Sequence, residues 1–537
     1  MKIRNNTIIF ALIVMLIFMA SCTDSGPGLN ITLSPEVTYA EAIPETHDYT
    51  LLTEAVYAGV VLETLGDAIL PSETAYPKIV PEIPFTEVRI DFSNSDMIIR
   101  NEYDGWLEES EVDFNNQWLA ELVSNGEIPK DVTHLSLHGN QFSDISVLSE
   151  FTELRVLALG NNRIEDISPL AGMTNLLSLD LSSNQISDIG ALSELINLTE
   201  LVLSNNQASN ISALSELTNL TRLGLSSNQI SDIGALSGLV NLSELSLYHN
   251  LITDTNGLSG LTYLTELELR RNRIECLRGL SGLINLTTLR ISDSRIGSLR
   301  ELGGLTNLTD LNINNNSSGL GLDISALGSL PNLTTLRLNS TRIRDISILN
   351  EMTNLTFLAL SHAEINDISA LSGLTNLTRL AIGGNEIHDI SPLSELTDLI
   401  TLHLNHNQIQ DISSLRGLTN LTELRLDNNQ ISDISSLSEL TNLSERLWLQ
   451  NNIISDISPL SGLTSLSSLD LSDNQISDIR PLSELTNLIG LHLADNQIHD
   501  LNPLSELPYL RILVLYRNPV IDWSPMQHIH VRGRPSS

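Results

Sequence analysis

Lysine, cysteine and aromatic residues are scarce in this chain of 537 residues. Lysine occurs only at Lys2, Lys78 and Lys130, so nothing beyond Lys130 can form a Schiff base or supply the lysine of a phosphate-binding loop. The two cysteines, Cys22 and Cys276, are too few for a disulfide scaffold or a cysteine-rich zinc site. Aromatic residues make up only 4% of the chain, so its 41% hydrophobic content rests mainly on leucine and isoleucine.

Positive charge is scarce as well, because 28 Lys and Arg residues face 65 Asp and Glu residues, for a net charge of −37. Binding to nucleic acid or to anionic lipid requires clustered Lys and Arg, so the composition excludes both as partners. The sequence also lacks HExxH, GxSxG, phosphate-loop and glycine-rich dinucleotide patterns. We therefore predict that the chain is not an enzyme and has no catalytic residues, no cofactor and no bound metal.

The first 21 residues have the features of an export signal. Lys2 and Arg4 precede an apolar run, residues 8–20. A helix of that length spans roughly 20 Å, less than the ~30 Å of a bilayer core. The apolar run is followed by Ser21 and Cys22, and the four residues Met19-Ala20-Ser21-Cys22 resemble the bacterial lipobox with Met in place of the usual Leu. That resemblance implies cleavage before Cys22 and lipidation of its sulfur; an ordinary cleaved signal and an uncleaved anchor are the alternatives.

Two different segments separate the signal from the main body of the chain. Residues 22–84 are rich in proline and acidic residues, which predicts an extended tether, although residues 51–70 also fit a short helix. Residues 85–130 contain an alternating strand pattern at 88–92 and a helical apolar face at 115–124, followed by Gly126. We predict that this second segment is an N-terminal cap.

From residue 131 to about residue 526 the chain repeats itself every 22 residues, eighteen times. Each turn carries Leu-x-Leu, then Asn, then Ile-x-x-Leu, as in Leu179-Asp-Leu181, Asn184 and Ile189 to Leu192. Only Ser294, Thr341 and Ala363 interrupt the asparagine column, whose members are Asn140, Asn162, Asn184, Asn206, Asn228, Asn250, Asn272, Asn316, Asn385, Asn407, Asn429, Asn452, Asn474, Asn496 and Asn518.

This pattern resembles the leucine-rich repeat family, and specifically the 22-residue class of bacterial internalins and SDS22-like phosphatase regulators. The resemblance implies an α/β solenoid: a right-handed arc with a parallel β-sheet on its concave side and short 3₁₀ or irregular segments on its convex side. The residue pattern independently agrees, since Leu-x-Leu fits a half-buried strand and Ile-x-x-Leu fits a short 3₁₀ turn. No single turn can bury its leucines, so stacking must supply the core.

Two repeated polar columns have structural explanations. We interpret the asparagines, including Asn162, Asn184, Asn228, Asn407, Asn429 and Asn474, as a buried ladder that hydrogen-bonds neighbouring turns. An aspartate four residues later, as at Asp188 or Asp411, is placed to cap the following 3₁₀ turn, with calcium binding as the alternative. Cys276 lies in this aspartate column and is interpreted as an inert thiol. Asn-Leu-Thr tripeptides match a glycosylation sequon, which we attribute to the repeat.

Regularity fails between Ser294 and Ala363, where three ladder positions are lost and three extra residues lie within 317–322. A tolerated loop bulge and a flexible seam in the arc are the two interpretations.

Positions beside the strand leucines point out of the concave face, and two groups of large side chains occur there. The first contains Tyr248, Glu266, Glu268 and Arg270; the second contains His403, His406, Arg425, Asp427, Arg446 and Trp448. Tyr, Trp and Arg often dominate binding energy, so we predict that these groups bind a ligand. The alternatives are solvated ion pairs and a Trp448 that only covers the one-residue insertion between Leu443 and Leu447.

These observations favour a lipid-anchored protein of the cell envelope, at the outer membrane or cell surface, that binds a host or envelope protein on its concave face. The membrane is reached through the N-terminal lipid alone, since the tail, residues 527–537, has no LPxTG-type anchor. Two alternatives remain: a structural envelope protein without a ligand, and an SDS22-like phosphatase-regulatory scaffold, which the export signal contradicts.

Overall fold

One parallel β-sheet runs through the computed structural model, which describes residues 87–89, 109–527 and 531–532. Within these ranges twenty strands follow one another in chain order. They are β1 Glu87–Arg89, β2 His134–Ser136, β3 Val156–Ala158, β4 Ser178–Asp180, β5 Glu200–Val202, β6 Arg222–Gly224, β7 Glu244–Ser246, β8 Glu266–Leu269, β9 Thr288–Ser292, β10 Asp310–Asn314, β11 Thr335–Arg337, β12 Phe357–Ala359, β13 Arg379–Ala381, β14 Thr401–His403, β15 Glu423–Arg425, β16 Arg446–Trp448, β17 Ser468–Asp470, β18 Gly490–His492, β19 Ile512–Val514 and β20 Val531–Arg532.

Each strand pairs in parallel with the next, so equivalent residues of successive turns are aligned. Leu402, Leu424 and Leu447, for example, lie side by side in β14, β15 and β16. The leucines point into the core while their neighbours in the strand face outward, as side-chain alternation requires. The sheet is open, and the predicted leucine-rich repeat solenoid is confirmed.

A short 3₁₀ helix follows each repeat strand on the side opposite the sheet. These helices are Ser146–Glu150, Ser168–Leu170, Gly190–Glu194, Ser212–Leu214, Gly234–Gly238, Asn256–Leu258, Arg278–Leu280, Arg300–Leu302, Ser325–Ser329, Ser347–Glu351, Ser369–Leu371, Ser391–Leu393, Ser413–Leu415, Ser435–Glu439, Ser458–Gly462, Arg480–Leu482, Asn502–Leu504 and Ser524–Met526. They remain three to five residues long because 3₁₀ hydrogen-bond geometry does not favour longer runs.

A continuous apolar core lies between the sheet and the 3₁₀ helices. Each turn contributes the same set of buried side chains, as with Leu176, Leu179, Leu181, Ile186 and Leu192, all of which are 0% exposed. Adjacent turns bury these side chains against one another, so stability depends on stacking.

The N-terminal end of the core is covered by helix α1, Glu109–Ser124. Leu119 and Val123 of this helix are buried in the same core as the first repeat. The helix begins six residues before the apolar face recognised in the sequence and ends at Ser124. Gly126 follows two residues later with a φ of +72°, which favours glycine. No helix in the described part of the chain is long and apolar enough to span a membrane.

At the C-terminal end, β20 adds one more parallel strand after the last 3₁₀ helix. Trp523 is partly buried and packs against the core, and Met526 is fully buried. Trp523 occupies the position that is isoleucine in most other turns, and its larger ring covers more of the last turn's apolar surface.

Strand pairing is extended at the start of the irregular region, which runs from Ser294 to Ala363. β9 and β10 are five residues long and align over five residue pairs, whereas most strands contribute three. Two further parallel bridges join Ser298 to Asp323 and Leu322 to Ile343. The inserted loop is held by Arg344, whose Nε donates to the carbonyl oxygen of Leu320 at 2.8 Å. These contacts support the bulge interpretation over the flexible seam.

Candidate functional site

The asparagine column forms a hydrogen-bonded ladder between turns. Asn407 is representative: its Nδ2 donates to the carbonyl oxygens of Ile382 and Leu404, at 3.1 and 3.0 Å. Its Oδ1 accepts from the backbone N–H of Ile387 at 3.1 Å. The buried N–H of Ile387 depends on this amide, whereas the two carbonyl oxygens also accept from the neighbouring ladder residues Asn385 and Asn429. Each asparagine therefore shares in one continuous network that pairs the buried backbone groups of adjacent turns. The same arrangement recurs at Asn162, Asn184, Asn228, Asn429 and Asn474.

At two of the three interruptions of the ladder, Ser294 and Thr341, a shorter side chain makes part of the same contacts. The hydroxyl of Thr341 donates to the carbonyl oxygen of Ile313 at 3.0 Å and accepts from the backbone N–H of Asn316 at 3.2 Å. The hydroxyl of Ser294 donates to the carbonyl oxygen of Ser292 at 3.0 Å. A hydroxyl therefore substitutes for the amide with fewer bonds.

The aspartate column caps the 3₁₀ helices. In Asp411 the carboxylate accepts from the backbone N–H of Ser413 at 2.8 Å, two residues further on. This bond lowers the pKa of Asp411 below its usual value. Asp478 accepts from the side chain of Arg480 as well as its N–H, and its pKa falls to about 2.

A second ladder, which the sequence analysis did not recognise, lies on the exposed flank. In Asn219-Leu220-Thr221 the asparagine Nδ2 donates to the carbonyl oxygen of Ile196 at 2.9 Å. The threonine hydroxyl donates to the carbonyl oxygen of Thr199 at 3.1 Å. The tripeptides that match a sequon thus form contacts between turns, and their recurrence every 22 residues was the signal in the sequence that could have identified them.

A shallow recess on this flank begins at Tyr263, which replaces an asparagine of the second ladder.

The first concave cluster, around Tyr248, is internally paired. Arg270 forms a two-pronged contact with Glu268, with its Nε 2.9 and 3.0 Å from the two carboxylate oxygens, and this bond raises the pKa of Arg270. The guanidinium carbons of Arg270 and Arg271 lie 5.8 and 5.5 Å from the ring centre of Tyr248. Glu266 is exposed and lies in register with Glu244.

The second group of candidate residues converges on three adjacent strands, and we call it the β14–β16 cluster: His403, His406, Arg425, Asp427, Arg446 and Trp448. The guanidinium carbon of Arg425 lies 3.7 Å from the ring centre of Trp448, within the range of a cation–π contact. Glu423, which the sequence analysis did not name, joins the cluster: its Oε1 is 3.3 Å from His403 Nε2 and 3.7 Å from Arg446 Nη1.

Trp448 occupies a regular concave position. Arg446, Leu447 and Trp448 align with β15 on one side and with β17 on the other. The extra residue is therefore accommodated before the strand begins, where Ser444 and Glu445 both donate to the carbonyl oxygen of Thr422. Trp448 does not need to cover the insertion.

Asp427 is the most buried charged group of the β14–β16 cluster. Only 5% of it is exposed, and this burial raises its pKa. Its Oδ2 accepts from Asn428 Nδ2 at 2.9 Å and lies 3.9 Å from His406 Nε2. Burial lowers the pKa of Arg425. Burial also raises the pKa of Glu423, but the hydrogen bond from His403 and the nearby positive charges outweigh it, so the net pKa is lowered.

His406 has a left-handed backbone conformation, with φ of +53°. The equivalent residues His249 and Arg271, and nearly every residue that precedes a ladder asparagine, share it. The turn therefore explains this geometry without a functional role for the strain.

A further concave group was missed because the three-residue insertion shifts the repeat period. Asp310 in β10 contacts Arg290 at 3.4 Å and Arg337 at 2.9 Å, on the strands at either side. Arg337 also stacks over Phe357, with its guanidinium carbon 4.4 Å from the ring centre. Arg290 lies in register with Glu268 of the first concave cluster but pairs with Asp310.

Among the described residues, no group of three His, Cys, Asp or Glu side chains is placed to hold a metal ion. Cys276 is a half-buried free thiol. Cys22 and the residues His528 and His530 lie outside the described ranges.

The buried ladder generates a stability prediction. We expect Asn407→Ala to lower the free energy of unfolding by about 1–3 kcal/mol, because it leaves the buried N–H of Ile387 unpaired. The carbonyl oxygens of Ile382 and Leu404 keep their bonds from the neighbouring ladder asparagines. Urea unfolding followed by circular dichroism measures the change. The matched control is Asn442→Ala on the exposed flank, where water can replace the lost bond to Thr419 and the cost should stay below about 1 kcal/mol. Equal losses in the two variants would contradict the ladder's role.

The aspartate column predicts acid sensitivity. Eight of its members have lowered pKa values: Asp166, Asp323, Asp367, Asp389, Asp411, Asp456, Asp478 and Asp522. The folded chain binds protons less readily there than the unfolded chain, so the stabilisation is present above the unfolded pKa of 3.8 and is lost as the pH falls through the lowered pKa values, which for Asp478 is about 2. The raised pKa values of Asp427 and Asp473 act in the opposite direction, but these two groups are outnumbered by the eight aspartates with lowered pKa values.

Urea midpoints measured across that pH range should therefore decrease on acidification. Asp411→Asn keeps an acceptor oxygen and lacks the titrating group, so its decrease should be shallower. A midpoint that stays constant or rises in the wild-type chain would show that the capping bonds do not control acid stability.

Comparison with known protein families identifies the repeats. The family model for "Leucine Rich repeats (2 copies)" matches residues 130–172, 218–260, 353–395, 397–439 and 445–484, and a "Leucine rich repeat" model matches residues 152–207. No curated protein matches the chain by sequence.

Several solved structures are similar to this chain. An internalin from Listeria monocytogenes is 31% identical, with 64% of this chain and 87% of its own covered and a TM-score of 0.43. A leucine-rich repeat protein from Leptospira interrogans is 23% identical, with coverages of 77% and 98% and a TM-score of 0.53. A plant peptide hormone receptor in complex with RGF2 is 21% identical, with coverages of 75% and 78% and a TM-score of 0.59. Repeat period, inter-turn ladders and matching models agree: the chain belongs to the leucine-rich repeat family.

Proposed function

We propose that this chain is an exported, lipid-anchored protein that binds another protein through the β14–β16 cluster on its concave face. The observation that carries the proposal is the stack of Arg425 on Trp448 beside the buried carboxylate of Asp427. Trp and Arg are enriched among residues that dominate protein–protein binding energy. A tryptophan held on an outward-facing strand position contributes little to the solenoid's own core.

The two named concave clusters differ in how far their charges are already paired. Arg270 and Glu268 satisfy each other in the Tyr248 cluster, as they would in a solvated surface pair. In the β14–β16 cluster, Arg425 and Asp427 are both largely buried without a direct hydrogen bond to each other. The second cluster is therefore the better binding site, and the first serves as its control.

The family supports a binding role over catalysis, since leucine-rich repeat proteins typically mediate protein binding. The plant receptor structure contains its bound RGF2, which shows this use for that protein alone. A structural envelope protein without a ligand is the second candidate. A phosphatase-regulatory scaffold is the third, and the export signal counts against it because those regulators act inside the cell.

The proposed partner is a protein of the envelope or of a host, and the proposed location is the outer membrane or cell surface. Support comes from the sequence: residues 1–21 have the pattern of an export signal, Cys22 follows a lipobox-like sequence, and residues 22–84 provide a tether.

Affinity capture tests the binding proposal. The full chain is compared as bait with a triple variant, Arg425→Ala, Asp427→Ala and Trp448→Ala, against envelope and host extracts. We expect a protein held by the wild-type chain to bind the triple variant at least about 100-fold more weakly, because truncating a residue that dominates an interface costs about 2 kcal/mol or more.

The matched control carries Tyr248→Ala, Glu268→Ala and Arg270→Ala and should retain the partner. Thermal unfolding of all baits checks that each variant is folded. A partner held equally by the triple variant would move the site elsewhere, and no captured partner would favour the structural alternative.

Metabolic labelling with a radioactive fatty acid tests the anchor. We expect label on the wild-type chain and none on Cys22→Ser, because the thioether lipid requires the cysteine sulfur. Cys276→Ser is the control and should label normally. Equal labelling of Cys22→Ser would refute lipidation at this residue.

A further inference from the structure

Three polar atoms of the concave face at β15 and β16 are buried and have no hydrogen-bond partner: Arg425 Nε, Asp427 Oδ1 and Gln450 Oε1. They are half of the six such atoms in the described part of the chain. Buried donors and acceptors are almost always paired, because leaving one unpaired is costly. Their grouping in one place indicates a site whose hydrogen bonds are completed by a ligand.

We propose that this site takes the side-chain carboxamide of an asparagine or glutamine of the partner protein. This inference rests on the proposed function and names the group that the β14–β16 cluster recognises. The unpaired atoms are one donor, Arg425 Nε–H, and two acceptors, Asp427 Oδ1 and Gln450 Oε1. A carboxamide presents one acceptor oxygen and two N–H donors, which is the complementary set.

Charge argues for a neutral ligand group. A carboxylate would accept from Arg425 but would bring a second negative charge against Asp427, which is 5% exposed. An ammonium or guanidinium group would donate to Asp427 but would leave the Arg425 donor unpaired beside a like charge. Since the cluster already holds Arg446 against Glu423, its charges are balanced, and a neutral amide adds none.

Shape separates a side-chain amide from a main-chain amide. In a trans peptide group the N–H and the C=O point in opposite directions, so one group cannot serve a donor and an acceptor that lie on the same face of one strand. A side-chain carboxamide has its oxygen and nitrogen on one edge. Arg425 is the last residue of β15 and Asp427 follows two residues later. The carbonyl oxygens of both accept from the preceding turn, so the extended pairing continues to Asp427 and the two side chains face the same side. Gln450 can pair with a carboxamide in either orientation of its own amide.

Trp448 lies over the guanidinium group of Arg425 and shields it, so the carboxamide must enter beside the indole ring. The ring must move when the ligand binds, and a change in tryptophan fluorescence should report it. The Trp448→Phe variant should lack this fluorescence change, which shows that the change comes from Trp448 and not from the other three tryptophans of the chain.

Peptide display against the immobilised full chain tests the proposal. Random peptides are selected on the wild-type chain and counter-screened on Arg425→Ala, with Arg270→Ala as the matched control. We expect the peptides lost on Arg425→Ala but retained on Arg270→Ala to share an Asn or Gln at one position. Replacing that Gln by the isosteric Glu should weaken binding about 10- to 100-fold, as expected when buried hydrogen-bonding groups are mismatched.

Asp427→Asn provides the converse test, because an amide at position 427 can donate to a carboxylate. We expect this variant to reduce the preference for the Gln peptide over the Glu peptide by about tenfold. Peptides that depend on Arg425 but share Asp, Glu, Lys or Arg would overturn the carboxamide inference while leaving the proposed function intact. If no selected peptide depends on Arg425, both the inference and the proposed function are wrong.

Discussion

The structure depends on satisfying buried backbone groups between turns that cannot fold alone. A 22-residue turn buries its leucines only by stacking on its neighbours, and stacking removes backbone N–H and C=O groups from water. The buried asparagine found in most turns, such as Asn407, bonds one turn to the next through both its oxygen and its nitrogen. The flank asparagines and threonines add a second set of bonds at the same period.

This division of labour leaves the concave face free to vary. Leucines, ladder residues and capping aspartates account for most of each turn, so side chains beside the strand leucines are not constrained by the core. The positive charge that is scarce overall reappears there, at Arg290, Arg337, Arg425 and Arg446. A rigid sheet holds these side chains at fixed spacing, which reduces the entropic cost of binding a partner.

Insertions show how strongly the strand register is maintained. The extra residue before β16 and the three extra residues before β11 are both accommodated in loops, and the strand leucines remain aligned. A slip of one residue would turn every core leucine of a strand to solvent, so register errors are far more costly than a loop bulge. Near the longer insertion, β9 and β10 compensate with additional pairing.

The repeat fold could be predicted from the sequence because period, leucine pattern and asparagine column recur in nearly every turn, each independently indicating a stacked parallel sheet. The concave candidates from Tyr248 to Trp448 followed from the same alternation. What the sequence did not contain was which of these side chains pair. Those pairings depend on distances between neighbouring turns: Glu423 contacts His403 and Arg446, and Arg290 contacts Asp310. The same distances leave one side-chain atom each of Arg425 and Asp427 unpaired. Local pattern determines which face a residue occupies; only the stacked sheet brings residues twenty or more positions apart within hydrogen-bonding distance.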